Sequence, residues 1–212
     1  MRAPEVIALI IVIFSFLITI YYYPQFPAEV ASHWNAAGEV DGYMSKFWGL
    51  FITPLISIAI LLLLIGIPRI DPLKQNVKKF RTHYDRLIIL VMAFLVYMHI
   101  LIIYSNLGIN FNMIQMLSPA IGILFYYLGS IMPNLKRNWF IGIRTPWTLS
   151  NDKVWDKTHK TGAKYFKISG IIAIVGILIP QYAIWLMIVP IILAVIYTLV
   201  YSYFAYQKEV KR

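Results

Sequence analysis

"ISGIIAIVGILIPQYAIWLMIVPIILAVIYTLVYSYFAY", residues 168–206, decides the fold class. Its one polar break is Pro180-Gln181-Tyr182. A bilayer core about 30 Å thick is crossed by about 20 apolar residues in a helix, so the run is long enough for two crossings folded back at the break. The sequence predicts a hairpin of helices, 165–179 and 183–203, the first with a short apolar part. Working outward, four more apolar blocks appear, at 6–23, 47–67, 87–107 and 113–132. Hydrophobic residues make up 60% of the chain and charged residues 13%, where a soluble domain carries about a quarter charged. The expectation is an all-α polytopic protein of the cell membrane, a six-helix transmembrane bundle occupying 1–212 as a single domain. No internal repeat or low-complexity linker interrupts it.

The first block is longer than a usual signal core and ends in Tyr21-Tyr22-Tyr23-Pro24 rather than in small residues suited to cleavage. It reads as a span with interfacial tyrosines. No cysteine is present, which excludes disulfides, thiol catalysis, iron–sulfur clusters and thiolate zinc sites. The net charge is +10. In a soluble protein that balance points to nucleic acid, but here it follows the loops. The 24–46 connection has net charge −2, whereas 68–86 has +4 and 133–164 has +5; Lys208, Lys211 and Arg212 outweigh Glu209 in the tail. The positive-inside rule then places both termini and the 68–86 and 133–164 loops in the cytoplasm, and the 24–46 loop outside. Membrane lipids are the expected partner of the basic loops; direct nucleic-acid binding is not expected.

Candidate chemistry is sparse. His99 is the one ionisable residue read inside a core, in the outer half of the third span; such residues are costly in lipid, and a hydrogen bond across the bundle is its expected role. The outer loop, "FPAEVASHWNAAGEVDGYMSK", offers His33, Glu39 and Asp41 as metal-ligand types, but their spacing matches no closed zinc pattern. A compact turn structure is expected instead, with turns at 35–38 and at Asp41-Gly42 and with Trp34 and Tyr43 anchoring the loop at the membrane surface. With its exposed acidic and aromatic groups, the loop is a candidate receptor for a cationic amphipathic peptide. Inside, Ser150 is the expected cap of a helix starting at Asn151. Trp155, Thr158 or His159, Gly162 and Tyr165 or Phe166 recur at helical steps, so this helix is expected to run into the fifth span. Arg144, held between Gly142 and Pro146, is expected to bond backbone carbonyls through its five donors. No nucleophile, phosphate-loop or His-Glu-x-x-His motif is present, so no enzyme activity, metal or cofactor is expected.

Two segments together resemble the SdpI family: "HWNAAGEVDGYMSKFWGLFITPLI" near the N-terminus and "WFIGIRTPWTLSNDKVWDKTHKTGAKYFKISG" before the fifth span. The connecting "IPRIDPLKQNVKKF" also fits. The resemblance covers nearly the whole chain, and the Ile-Gly-Ile-Arg-Thr-Pro-Trp-Thr run is its most specific part. It implies a multi-pass immunity protein. The family's best-known member protects a bacterial cell from a secreted killing-factor peptide and holds an autorepressor at the membrane. The family motifs fall on His33, Trp34, Gly38, Asp41 and Gly42 outside, and on Gly142, Arg144, Thr145, Pro146, Trp147, Trp155, His159 and Gly162 inside. The expected partners are a secreted toxin peptide, met at His33, Trp34, Glu39, Asp41 and Tyr43, and a cytoplasmic repressor. Two rival functions are a transporter or flippase for a peptide or lipid, which needs a polar cavity, and an intramembrane enzyme, which needs a nucleophile–base pair.

Overall fold

The computed structural model describes residues 2–211; Arg212, counted above in the basic tail, lies outside the described residues. In chain order the elements are α1 (Ala3–Tyr22), β1 (Glu29–Trp34), β2 (Val40–Ser45), α2 (Lys46–Ile70), α3 (Lys74–Lys79), α4 (Arg81–Asn106), α5 (Met113–Ile131), α6 (Pro146–Ser150), α7 (Asp152–Val175) and α8 (Ala183–Val210). Among the described residues, five helical segments are long and apolar enough to cross a membrane: Ala3–Gln25, Lys46–Ile70, Arg81–Asn106, Met113–Asn134 and Pro180–Val210. The chain is a multi-pass membrane protein.

α7, expected as part of a sixth crossing, is not among these five, because its first half is polar. Its course follows from its contacts with α5. Near the start of α5, Gln115 Nε2 donates to Ile177 O at 2.7 Å, and Ser118 Oγ donates to Ala173 O. Near the other end, a Cβ on Gly129 would stand 2.8 Å from Ala163 O. Between these points Gly122 and Gly170 face each other, and a methyl on either would lie 2.6 Å from the other's carbonyl. Small residues let two backbones approach where lipid supplies no hydrophobic drive for association. From Ala163 to Val175 the helix rises roughly 18 Å alongside its partner. The polar helix predicted before the fifth span and that span are thus one rod.

On the other side of the bundle α1 packs on α4 through a narrow stripe of small residues. Ala8, Val12, Ser15 and Thr19 are buried, while Ile10, Phe14 and Leu17 face outward. Ser15 and Thr19 return their hydroxyls to carbonyls of their own helix, which removes the cost of placing them in lipid. The main apolar core joins α1, α2, α4 and the basic loops through Leu61, Tyr84, Ile88, Met92 and Trp155.

Three expectations are corrected. The fold is helical except for a two-stranded antiparallel hairpin, β1–β2, where only turns were read. Its turn is at Asn35: Asn35 Oδ1 accepts from Ala37 N and Glu39 N, and Gly38 takes φ +83°. Asp41-Gly42 is therefore not a turn but lies within β2, where bulges shift the register so that His33 pairs with Gly42 and Trp34 with Val40. The cap of α7 is Asn151, whose Oδ1 accepts from Lys153 N and Val154 N; Ser150 closes α6 instead and bonds Pro146 O.

Candidate functional site

Two polar assemblies sit at opposite ends of the helices. The first is the β1–β2 hairpin. It is fixed to the bundle by two asparagines. Asn106, the last residue of α4, accepts from Ala31 N at 2.7 Å and donates to Ala31 O at 3.0 Å, so a side-chain amide stands in for a neighbouring strand. Asn112, which caps α5, donates to Ala37 O at 2.6 Å. A small core of Phe26, Val30, Leu50 and Ile103 lies beneath. The strand leads without a break from Ser45 into α2.

Of the residues predicted here, His33, Glu39, Asp41 and Tyr43 are exposed. His33 Nδ1 meets Asp41 Oδ1 across the strands, while Glu39 is turned toward Asn35 Nδ2 at 3.2 Å. His99 is elsewhere: it is fully buried and bonds Thr19 across the α1–α4 contact at 2.7 Å. Thr19 donates to Ser15 O, so it accepts from His99 Nε2. Among the described residues no three His, Asp or Glu side chains gather as metal ligands. Trp34 is half-buried rather than a surface anchor. It lines a mostly apolar cavity of about 310 Å³ beneath the hairpin, together with Met44, Ile52, Thr53, Met98 and Ile114. The recess reaches toward α2, α4 and α5, and the same hairpin exposes Glu39, Asp41 and Tyr43.

The second assembly is the 133–164 segment. Its centre is Asn138, fully buried, a residue the sequence reading passed over. Asn138 Oδ1 accepts from Phe140 N and Ile141 N, and its Nδ2 donates to Lys136 O and Ile141 O. One amide thereby satisfies four backbone groups of a loop that has no ladder of its own. Asp71 reaches in from the α2–α3 connection and accepts from Trp139 N at 2.9 Å. Trp155 Nε1 donates to Leu135 O at 2.8 Å.

His159 is the second pivot. Its Nδ1 donates to Trp155 O at 2.8 Å, and its Nε2 accepts from Ile143 N at 3.0 Å. The ring is therefore the neutral tautomer with the proton on Nδ1. It stacks on Trp155 with centroids 4.1 Å apart. Burial pushes its pKa down to about 4, against weaker opposite pulls from the Trp155 carbonyl and Asp156. Gly142, at φ +109°, lies against this ring. Thr145 and Thr148 form a reciprocal cap on α6, and Thr145 also meets Ser202 of α8 at 3.0 Å. Pro146 starts that helix, and Trp147 stacks edge-on against Tyr203. Gly162 is buried beside Ile143 and Thr198. Arg144 does bond a carbonyl, Trp139 O at 2.6 Å, but it is exposed and makes that one bond. The guanidinium that organises more of the loop is Arg137, which donates to Leu149 O and to Asp152, both at 2.7 Å.

A third cluster lies just outside the apolar blocks, at the basic ends of the helices. Glu5, in the first turn of α1, is 1% exposed. It pairs with Arg81 of α4 at 2.9 Å and lies 3.7 Å from Arg69 of α2, while Arg81 also holds Asp85 at 2.7 Å and Arg2 reaches Asp85 at 3.1 Å. A buried carboxylate is tolerable only with partners of this kind. The cluster ties α1, α2 and α4 at their basic ends.

Comparison with known proteins finds two family descriptions on this chain. Residues 134–202 match the SdpI/YfhL protein family, a stretch covering the second assembly, α7 and most of α8. Residues 10–58 match a domain of unknown function, DUF1648, which takes in most of α1, the hairpin and the first half of α2. The chain is 29% identical over 205 residues to a Bacillus subtilis (strain 168) protein named Immunity protein SdpI, with 96% of each chain covered. No solved structure matches it.

Proposed function

We propose that this chain, which belongs to the SdpI family, is a membrane immunity protein against a secreted peptide toxin, and that the toxin is met at the β1–β2 hairpin. The observation that carries the toxin-facing part is the recess of about 310 Å³ lined by His33, Trp34 and Met44 of a hairpin that also exposes Glu39, Asp41 and Tyr43. A cationic amphipathic peptide needs both features. Carboxylates speed its encounter, and an apolar groove receives its hydrophobic face. The basic end, with 68–86 and 133–164, lies in the cytoplasm in this reading.

The mechanism follows from how the hairpin is attached. It is bonded to α4 through Asn106 and to α5 through Asn112. It has no hinge before α2. A peptide wedged under Trp34 therefore shifts helix ends rather than a free loop. The glycine contact passes movement of α5 to α7, and α7 carries Trp155 and His159 at its far end. The segment around Asn138 is the surface offered to a cytoplasmic partner, of which a repressor is the type. Protection is by capture and requires no chemical step.

The test is direct binding by the purified chain of the peptide toxin countered by the B. subtilis relative. Binding should weaken with salt. The Glu39→Gln/Asp41→Asn variant should bind less and lose the salt dependence, and Trp34→Ala should bind less while keeping it. Equal binding by all three at every ionic strength would overturn the assignment of the hairpin as receptor.

A further inference from the structure

We propose that the groove between α7 and α8 is a binding site for one anionic phospholipid, with its phosphate at Lys157 and Lys208 and an acyl chain along the apolar wall above them. This is independent of what the hairpin binds. The groove has two parts joined at Tyr197 and Val200. The part at the basic end has about 430 Å³ of space between Lys157, Tyr201, Phe204 and Lys208. The part deeper in the bundle has about 580 Å³, walled by Ile168, Ile172, Pro190, Leu193 and Ile196. From Lys208 to Pro190 the helix rises roughly 27 Å. Half of a bilayer with its headgroups is about 20–22 Å thick, so the groove spans one leaflet from charged surface to midplane.

Charge selects the occupant. Lys157 is held by Glu209, which also draws Lys153 to 3.8 Å. That carboxylate fixes Lys157 at the mouth and offsets one charge, and Lys208 faces the same space. Three lysines against one carboxylate leave +2 at the mouth. Basic pockets between transmembrane helices at the cytoplasmic surface suit anionic headgroups. Tyr165 and Tyr197, with rings 4.5 Å apart, line the deeper part and put phenol hydroxyls beside the path. A second groove on the same molecule supplies the contrast. Between α4 and α5 lies a recess of about 330 Å³ lined by Leu90, Phe94, Tyr97, Ala120 and Leu124, with no charged residue. It can take an acyl chain but has nothing to read a headgroup.

Native mass spectrometry of the full chain, released from detergent with equal amounts of dioleoyl phosphatidylglycerol and dioleoyl phosphatidylcholine, tests the proposal. One phosphatidylglycerol should be retained per chain in preference to phosphatidylcholine. Lys157→Gln/Lys208→Gln should erase most of that preference, about fivefold per lysine. Val200→Trp, which fills the groove, should lower retention, whereas Ala120→Trp in the uncharged groove should not. Excess inorganic phosphate should not displace the lipid. Lys208→Gln alone leaves the Lys157–Glu209 pair intact, so it gives a folded variant in which the loss is still readable. Equal retention of the two lipids, an unchanged preference in the lysine variants, or displacement by inorganic phosphate would overturn it. So would efficient disulfide crosslinking of Ile196→Cys between chains in a bilayer, which would show a second copy seated in the groove.

Discussion

Replacing Gly142 by alanine should destabilise the chain out of proportion to the one methyl added. At φ +109° an L-residue pays about 1–2 kcal/mol for a left-handed backbone. The new Cβ would also stand 2.4 Å from His159 Nε2. The ring cannot retreat freely, because it is stacked on Trp155 and bonded to Trp155 O. Displacing it orphans the Ile143 N–H, at about 1–3 kcal/mol for a buried donor. These terms are not strictly additive, and together they give about 2–5 kcal/mol. In detergent, followed by tryptophan fluorescence, that should lower the apparent melting temperature by about 10 °C. The double variant with His159→Ala separates the causes. Without the ring, the penalty for Gly142→Ala should shrink to the backbone cost, a coupling of about 2 kcal/mol. A Gly142→Ala protein melting within about 2 °C of the unmodified chain, or a penalty unchanged by His159→Ala, would refute the reasoning.

Asn106→Ala should leave the Ala31 N–H and C=O without their partner, loosening the hairpin by about 1–3 kcal/mol; hydrogen exchange at Ala31 should quicken while that within α5 and α7 does not. His159 gives a pH dependence with a definite sign. Its pKa is lowered from 6.5 to about 4, so its contribution is complete above the unfolded value and is lost as pH falls through that window. At pH 5 the loss is about 2 kcal/mol, and the difference in stability between pH 7 and pH 5 should be smaller by that amount in His159→Gln. For topology, a cysteine at Ala36 should react with an impermeant thiol reagent in intact cells and one at Lys160 should not, since the native chain has none; the reverse pattern would invert the orientation.

The spans were legible because lipid demands long apolar stretches, and little else in this sequence competes with that signal. The start of α2 was readable at Phe47 and the helical turn-back at Pro180 for the same reason. The continuity of α7 was also readable, since Trp155, His159 and Gly162 keep one helical face from the polar into the apolar half. The hairpin was not. Its strands are six residues each, broken by bulges, and the partner that steadies its edge, Asn106, lies 75 residues from Ala31. Glu5 was hidden for a related reason: at the start of α1 it reads as an interfacial charge, and its burial is decided by Arg81, 76 residues away. Asn138 carries no motif. A buried amide that bonds only backbone leaves no pattern in a single chain, although its place four residues before a left-handed glycine was a hint. Arg144 drew attention by sitting between Gly142 and Pro146, whereas the more engaged guanidinium is Arg137. Sequence context drew attention to the loop but not to the side chain that holds it.

The most direct test of the central claim is survival. B. subtilis cells lacking their own SdpI and carrying this chain should withstand the toxin that the relative protects against, and the Glu39→Gln/Asp41→Asn/Trp34→Ala variant, present in the membrane at equal level, should lose that protection. Cells killed as readily with the intact chain as without it would contradict immunity against that toxin, and full protection by the variant would contradict the hairpin as the place where the toxin is met.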